Sequence, residues 1–194
     1  FIKDTMNIAL CGDSLIAGYG ATDTACTLGC RIGQSTKGCI EIHSAPFRGT
    51  VSLPLLTAEL SSREYRAIIL CANGNDALPW GGSYEKVHDS LTRALRLCAE
   101  HTDYVIVLEN FGGLGRLYPV CWLRLWCQSR SRTVEQAYGD AIQNFLAEEN
   151  RIRVTRLGIE DICCQKGHQA ADGIHPNDPA YRSIAALILE KIQG

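Results

Sequence analysis

Five short apolar runs alternate with five segments of helical character, and this alternation constrains the fold more than any other feature of the chain. Strands are expected over 6–11, 39–43, 65–72, 103–108 and 152–157. Helices are expected over 25–36, 52–60, 83–101, 133–149 and 177–192. The run 65–72 is continuously apolar, as a strand covered on both faces must be. The segment 83–101 carries Val87, Leu91, Leu95 and Cys98 at helical spacing behind a capping Ser83. Thr133 reads as the N-cap of the fourth helix. Each strand followed by a helix implies right-handed crossovers and an α/β fold, a five-stranded, mostly parallel sheet with helices on both faces.

At 194 residues the chain is long enough to bury a core without a metal or disulfide staple, and residues 1–194 read as a single domain. The formal net charge is −2, with no basic stripe, which argues against a nucleic-acid partner. No apolar run approaches the roughly 18 residues of a membrane span. No signal peptide is visible, which favours the cytoplasm, although the numbering starts at a phenylalanine and leaves the compartment open. A homo-oligomer also stays open. Ten cysteines are many for this length. Cys11, Cys71 and Cys98 lie in apolar stretches and read as buried small hydrophobes, and free thiols are expected over disulfides. No pair of CxxC motifs marks a zinc site. No metal and no cofactor is expected.

In a parallel sheet, ligands gather at the carboxyl ends of the strands. Polar residues stand there. Gly12-Asp13-Ser14-Leu15 follows the first strand, Arg48-Gly49-Thr50 the second, and Asn73-Gly74-Asn75-Asp76 the third. Asp172-Gly173-Ile174-His175-Pro176 follows the fifth, beyond a connecting segment. These are the parts of an acyl-transfer site. A serine hydroxyl needs a neighbouring base, an imidazole can take and return its proton, and a carboxylate steadies the imidazolium. Ser14, His175 and Asp172 supply these groups, and the Asp-x-x-His spacing lets one loop present the last two. Oxyanion donors are expected from the backbone N–H of Gly49, the side chain of Asn75, and the Ser14 N–H at the start of a helix.

Those four blocks, in that order, resemble the SGNH hydrolases, the GDSL esterases and lipases, and are most similar to their small thioesterase/lysophospholipase and arylesterase members. The resemblance runs over nearly the whole chain. It implies a three-layer α/β/α flavodoxin-like fold and a metal-free acyl hydrolase acting on a small-molecule ester or thioester. Two positions depart from the pattern: Arg48 stands before the second-block glycine, and Asn73 before the third. The G-x-S-x-G signature of the α/β-hydrolases is absent.

Each residue also has a plainer reading. Ser14 alone would be a turn or cap serine, Asn75 a turn asparagine and Gly49 a sharp bend. Their joint occurrence favours the catalytic roles. Asp13 and Asp76 read as loop braces. Trp80 either lines the pocket or packs. The connection 111–132 is long for a loop and holds Trp122, Leu123, Leu125 and Trp126, so it reads equally as a lid-like acyl wall or as a packed helix. The leading reading is a serine esterase for short- to medium-chain acyl groups, working through an acyl-enzyme. A carbohydrate O-deacetylase would use the same triad, and a non-catalytic binding protein could keep the fold.

Overall fold

The structure is a computed structural model that describes residues 7–36, 38–43, 48–60, 64–78, 81–111 and 121–194, with the backbone alone at 39, 43 and 121–124. Five strands, β1 (Asn7–Gly12), β2 (Gly38–His43), β3 (Ala67–Cys71), β4 (Tyr104–Glu109) and β5 (Arg153–Gly158), form one sheet in the order β2-β1-β3-β4-β5. Every neighbouring pair is parallel. Chain order reverses between β1 and β3, and at such a switch point the loops diverge and leave a crevice.

The period-two geometry of β1 and β3 divides the core into two layers. Ala9, Cys11, Ile68 and Leu70 face α2 (Leu53–Ala58), α3 (Tyr84–Ala99) and α4 (Cys121–Glu148). Ile8, Leu10 and Ile69 face α1 (Leu28–Ser35) and α6 (Asp178–Gln193). Cys11, Cys71 and Cys98 are buried there, and burial pushes the Cys11 thiol up to about 12, which makes it inert. The Ser83 cap falls where it was expected, and Asn177 caps the last helix. Ser83 Oγ accepts the Lys86 N–H at 3.4 Å, and Asn177 Oδ1 accepts the Ala180 N–H at 3.3 Å.

Helix α4 differs from expectation. It begins at Cys121, not Thr133, and runs for 28 residues. Thr133 lies inside it, its hydroxyl donating to the Ser129 carbonyl at 3.3 Å. The buried stripe Cys127, Ser131, Val134, Tyr138, Ala141 and Phe145 shows why. A small serine buried in that stripe reads as surface in the sequence, so the stripe looks shorter than it is. The connection 111–132 is therefore helical from 121 onward, and 112–120 lie outside the described residues. A short helix α5 (Glu160–Cys164), not expected from the sequence, follows β5.

Candidate active site

The crevice at the β1/β3 switch point holds the polar blocks. Gly12 ends β1 so close to β3 that a Cβ there would lie 2.1 Å from the Cys71 carbonyl, and the Asp13 N–H bonds that carbonyl at 3.2 Å. The chain then turns through Ser14. A helix was expected at this point, but residues 14–20 form consecutive turns and the first α-helix waits until Leu28. Gly18 and Gly20, at φ of 81° and 89°, hold left-handed backbone that a right-handed helix excludes.

The Asp172–His175 loop, the candidate base loop, is compact. Asp172 Oδ1 accepts the backbone N–H of Ile174 at 2.8 Å and of His175 at 3.0 Å. Its Oδ2 lies 2.6 Å from His175 Nδ1. Burial alone would raise the Asp172 carboxyl, but the bonds from His175 and Ile174 and the His175 charge outweigh it and hold it at about 2. An ionised carboxylate only accepts, so neutral His175 carries its proton on Nδ1 and leaves Nε2 as the basic nitrogen.

The other wall is buried. The Asn75 amide donates to Asp13 Oδ2. Asp13 is 4% exposed, and burial pushes its carboxyl up to about 6 against the pull of Asn75, the Leu15 N–H and its own N–H. Asp76 is fully buried and is also pushed up to about 6 by burial, against hydrogen bonds from Thr50. It accepts the Thr50 N–H, with its two oxygens at 3.0 and 3.2 Å, and the Thr50 hydroxyl, which also meets the buried Tyr138 hydroxyl. Gly49 stands at φ 61°, and a Cβ there would come within 2.3 Å of Asp76 Oδ1. Only a glycine fits this close approach to a buried carboxylate. Asn73, the departure in the third block, donates to the Leu108 carbonyl at 2.7 Å and accepts the Asn110 N–H at 3.1 Å, joining the ends of β3 and β4.

The structure thus brings the Ser14 turn, the Asp172–His175 loop, Gly49 and Asn75 to one edge of the sheet. Beyond Asp13 and Asp76, contact between them runs through residues that sequence reasoning passed over. The Tyr19 ring packs on His175, with centroids 5.4 Å apart. A buried Tyr181 hydroxyl donates to the carbonyls of Tyr19 at 2.7 Å and Leu15 at 3.1 Å. Arg130 of α4 donates to the carbonyls of Asp76, at 3.2 Å, and Gly82, which brings α4 onto the Asn75 loop. The only local signal for Tyr19 is its position between two glycines. One turn before Arg130, Leu125 and Trp126 are exposed at 61% and 49%. Trp80 and the Trp122 side chain lie outside the described residues. A basin of about 520 Å³ lined by Tyr65, Arg66, His101 and Arg151 opens at the opposite, amino edge of the strands and contains none of these groups. Among the described residues, no cluster of His, Cys, Asp and Glu suits a metal, and no helix is long and apolar enough to cross a membrane.

The fold is that of the GDSL-type esterases and lipases, the class that the motif blocks resemble. Among solved structures, the chain is similar to a GDSL-like lipase from Bacteroides ovatus at 17% identity and a TM-score of 0.71, over 97% of this chain and 53% of that one. It is similar to the psychrotrophic esterase EstA from Pseudoalteromonas sp. at 17% identity and a TM-score of 0.66, over 96% of both chains. It is also similar to a two-domain esterase active on acetylated mannans at 13% identity and a TM-score of 0.65, over 97% of this chain and 48% of that one. The chain therefore spans about half the length of the first and third. No family model and no curated protein matches the sequence.

Proposed function

We propose that this chain is a serine esterase that hydrolyses short- to medium-chain acyl esters or thioesters through an acyl-enzyme. The observation that carries the reading is the Asp172–His175 pair, 2.6 Å apart on one loop at the sheet edge that also holds Ser14 and Asn75. His175 Nε2 takes the Ser14 proton as Oγ attacks the acyl carbon. The N–H groups of Ser14 and Gly49 and the Asn75 amide receive the oxyanion. An amide carries two N–H donors, so Asn75 can spend one on Asp13 to fix its orientation and offer the other to the oxyanion. The protonated imidazole passes its proton to the leaving alcohol or thiol, and water then repeats the sequence on the acyl-enzyme. Residues 1–194 act as one hydrolase domain, and Trp126, exposed one turn before the Arg130 contact, lines the acyl side.

A fluorophosphonate probe tests the class. Wild-type protein is expected to label on Ser14, and Ser14→Ala to lose the label along with its ester hydrolysis. Removing a triad serine costs about 10⁶ in rate in a well-studied protease, so a Ser14→Ala variant that kept a tenth of the activity would end the acyl-enzyme reading. The neighbour active on acetylated mannans supports a second reading, sugar O-deacetylation with the same groups. Nitrophenyl esters of graded length, acyl-CoA and acetylated sugars, assayed side by side, separate the two. A rate that climbs with chain length favours the acyl reading, and preference for acetylated sugars the other.

A further inference from the structure

We infer that Tyr19 is a positioning residue for His175, packing its ring on the imidazole while Asp172 holds it from Nδ1; this rests on the esterase reading of the site. Three contacts converge on Tyr19, and a fourth is made by the glycine that follows it. Its N–H donates to the Ser14 carbonyl at 3.0 Å, tying it to the candidate nucleophile. Its carbonyl accepts the buried Tyr181 hydroxyl at 2.7 Å, which anchors it to α6. Its ring lies 5.4 Å from the His175 ring, centre to centre, tilted by 42°. The following Gly20 is pressed so tightly on the base loop that a Cβ there would lie 2.4 Å from the Pro176 carbonyl and 2.9 Å from His175 Cβ.

These contacts make the turn 14–20 a strut between nucleophile and base. The strut continues at Thr22, whose N–H and hydroxyl donate to Asp178 at 2.9 and 2.6 Å, just beyond the base loop. Burial does not explain the ring, because Tyr19 is 46% exposed. What the ring does cover is the imidazole, whose side chain is 21% exposed. A ring at this spacing restricts imidazole rotation, and an aromatic ring within about 6 Å favours the imidazolium formed when His175 takes the serine proton. That benefit arises in the transition state more than in the ground state, so it belongs in kcat.

The test compares Tyr19→Leu, which keeps apolar bulk, with Tyr19→Phe, which keeps the ring. Tyr19→Leu is expected to lower kcat about five- to tenfold with KM within about twofold, and Tyr19→Phe to restore most of the loss. The C–H resonances of His175, observed by NMR without substrate, should carry a ring-current shift in wild type and Tyr19→Phe that Tyr19→Leu lacks. An unchanged kcat in Tyr19→Leu, a loss confined to KM, or identical His175 resonances in all three proteins would overturn the inference. The NMR arm is independent of turnover. If wild type cleaves no ester and binds no fluorophosphonate, yet its ring-current shift vanishes in Tyr19→Leu, the positioning contact stands and the esterase reading falls. If wild type is an active esterase and Tyr19→Leu matches it, the reverse holds.

Discussion

Asp172 and Asp13 stand at the same edge of the sheet, on separate loops, and occupy opposite electrostatic states. The Asp172 side chain is 44% exposed, and three donors hold its carboxyl at about 2. Asp13 is buried, and loss of solvent pushes its carboxyl up to about 6 although the Asn75 amide and two backbone N–H groups pull it back. The same side chain is thus held as an anion beside His175 and pushed toward its acid form beside Asn75. Hydrogen-bond count does not separate them; burial does. A carboxylate that must steady an imidazolium has to be ionised at every working pH, and access to water with three donors achieves that. A carboxylate that only aims an amide can tolerate a raised pKa, because the amide bonds it in either state.

The largest expected effect breaks the exposed half of this comparison. Asp172→Asn removes the anion, and if its one remaining oxygen keeps the Ile174 and His175 N–H groups, an amide NH2 faces His175 Nδ1 and selects the wrong tautomer. Activity should fall by about 10⁴ in kcat, as the equivalent change does in serine proteases. A loss of only a few-fold in steady-state kinetics would mean that Asp172 caps its own loop and does not serve His175.

The buried half gives a smaller loss. Asn75→Ala should lower kcat by about 10²–10³ with little change in KM, because an oxyanion accepts the amide more strongly than a ground-state carbonyl does. A change confined to KM would assign Asn75 to substrate binding and leave Asp13 without a functional partner.

The smallest effect concerns stability and carries the opposite sign. Asp13 and Asp76 are raised from 3.8 to about 6, so between those values the folded protein binds more protons than the unfolded chain. Their ionisation therefore costs stability above about pH 6, and the cost disappears as pH falls toward 3.8. Asp172, lowered to about 2, contributes stability above 3.8 and loses it as pH falls through its folded value. Asp13→Asn keeps an oxygen for the Asn75 amide and removes a buried charge. It should be as stable as wild type or more so at pH 7, by up to about 3 kcal/mol, while kcat drops about tenfold. Its gain on going from pH 7 to 4.5, followed by urea denaturation, should be smaller than that of wild type. A variant less stable at pH 7 with an undiminished gain would show that the carboxylate is a net stabiliser and that burial is not its dominant influence.

Much of this organisation is legible in the residues. The strand runs, the Ser83 cap and the placement of polar blocks after strands all depend on neighbours within a few positions, where periodicity and capping chemistry act. The same locality explains the failures. Thr133 was expected to cap the fourth helix, but the helix already starts at Cys121 and buries Ser131 in its stripe. A helix was expected to start at Ser14, but Gly18 and Gly20 turn the chain there to meet the base loop.

By itself, then, the sequence determined the α/β alternation and which residue types stand at the ligand edge, because hydrophobic period and turn chemistry are written residue by residue. Tertiary structure alone decided what those residues touch. Asn75 and Asp13 are 62 positions apart, and Tyr181 and Tyr19 are 162 apart. No local propensity encodes such pairs. They exist because the parallel β1 and β3 end side by side and because α6 packs on the same face as the Ser14 turn. The contrasting acidities of Asp13 and Asp172 follow from the same cause, since a carboxyl's pKa is set by the water and donors around it once the chain has closed.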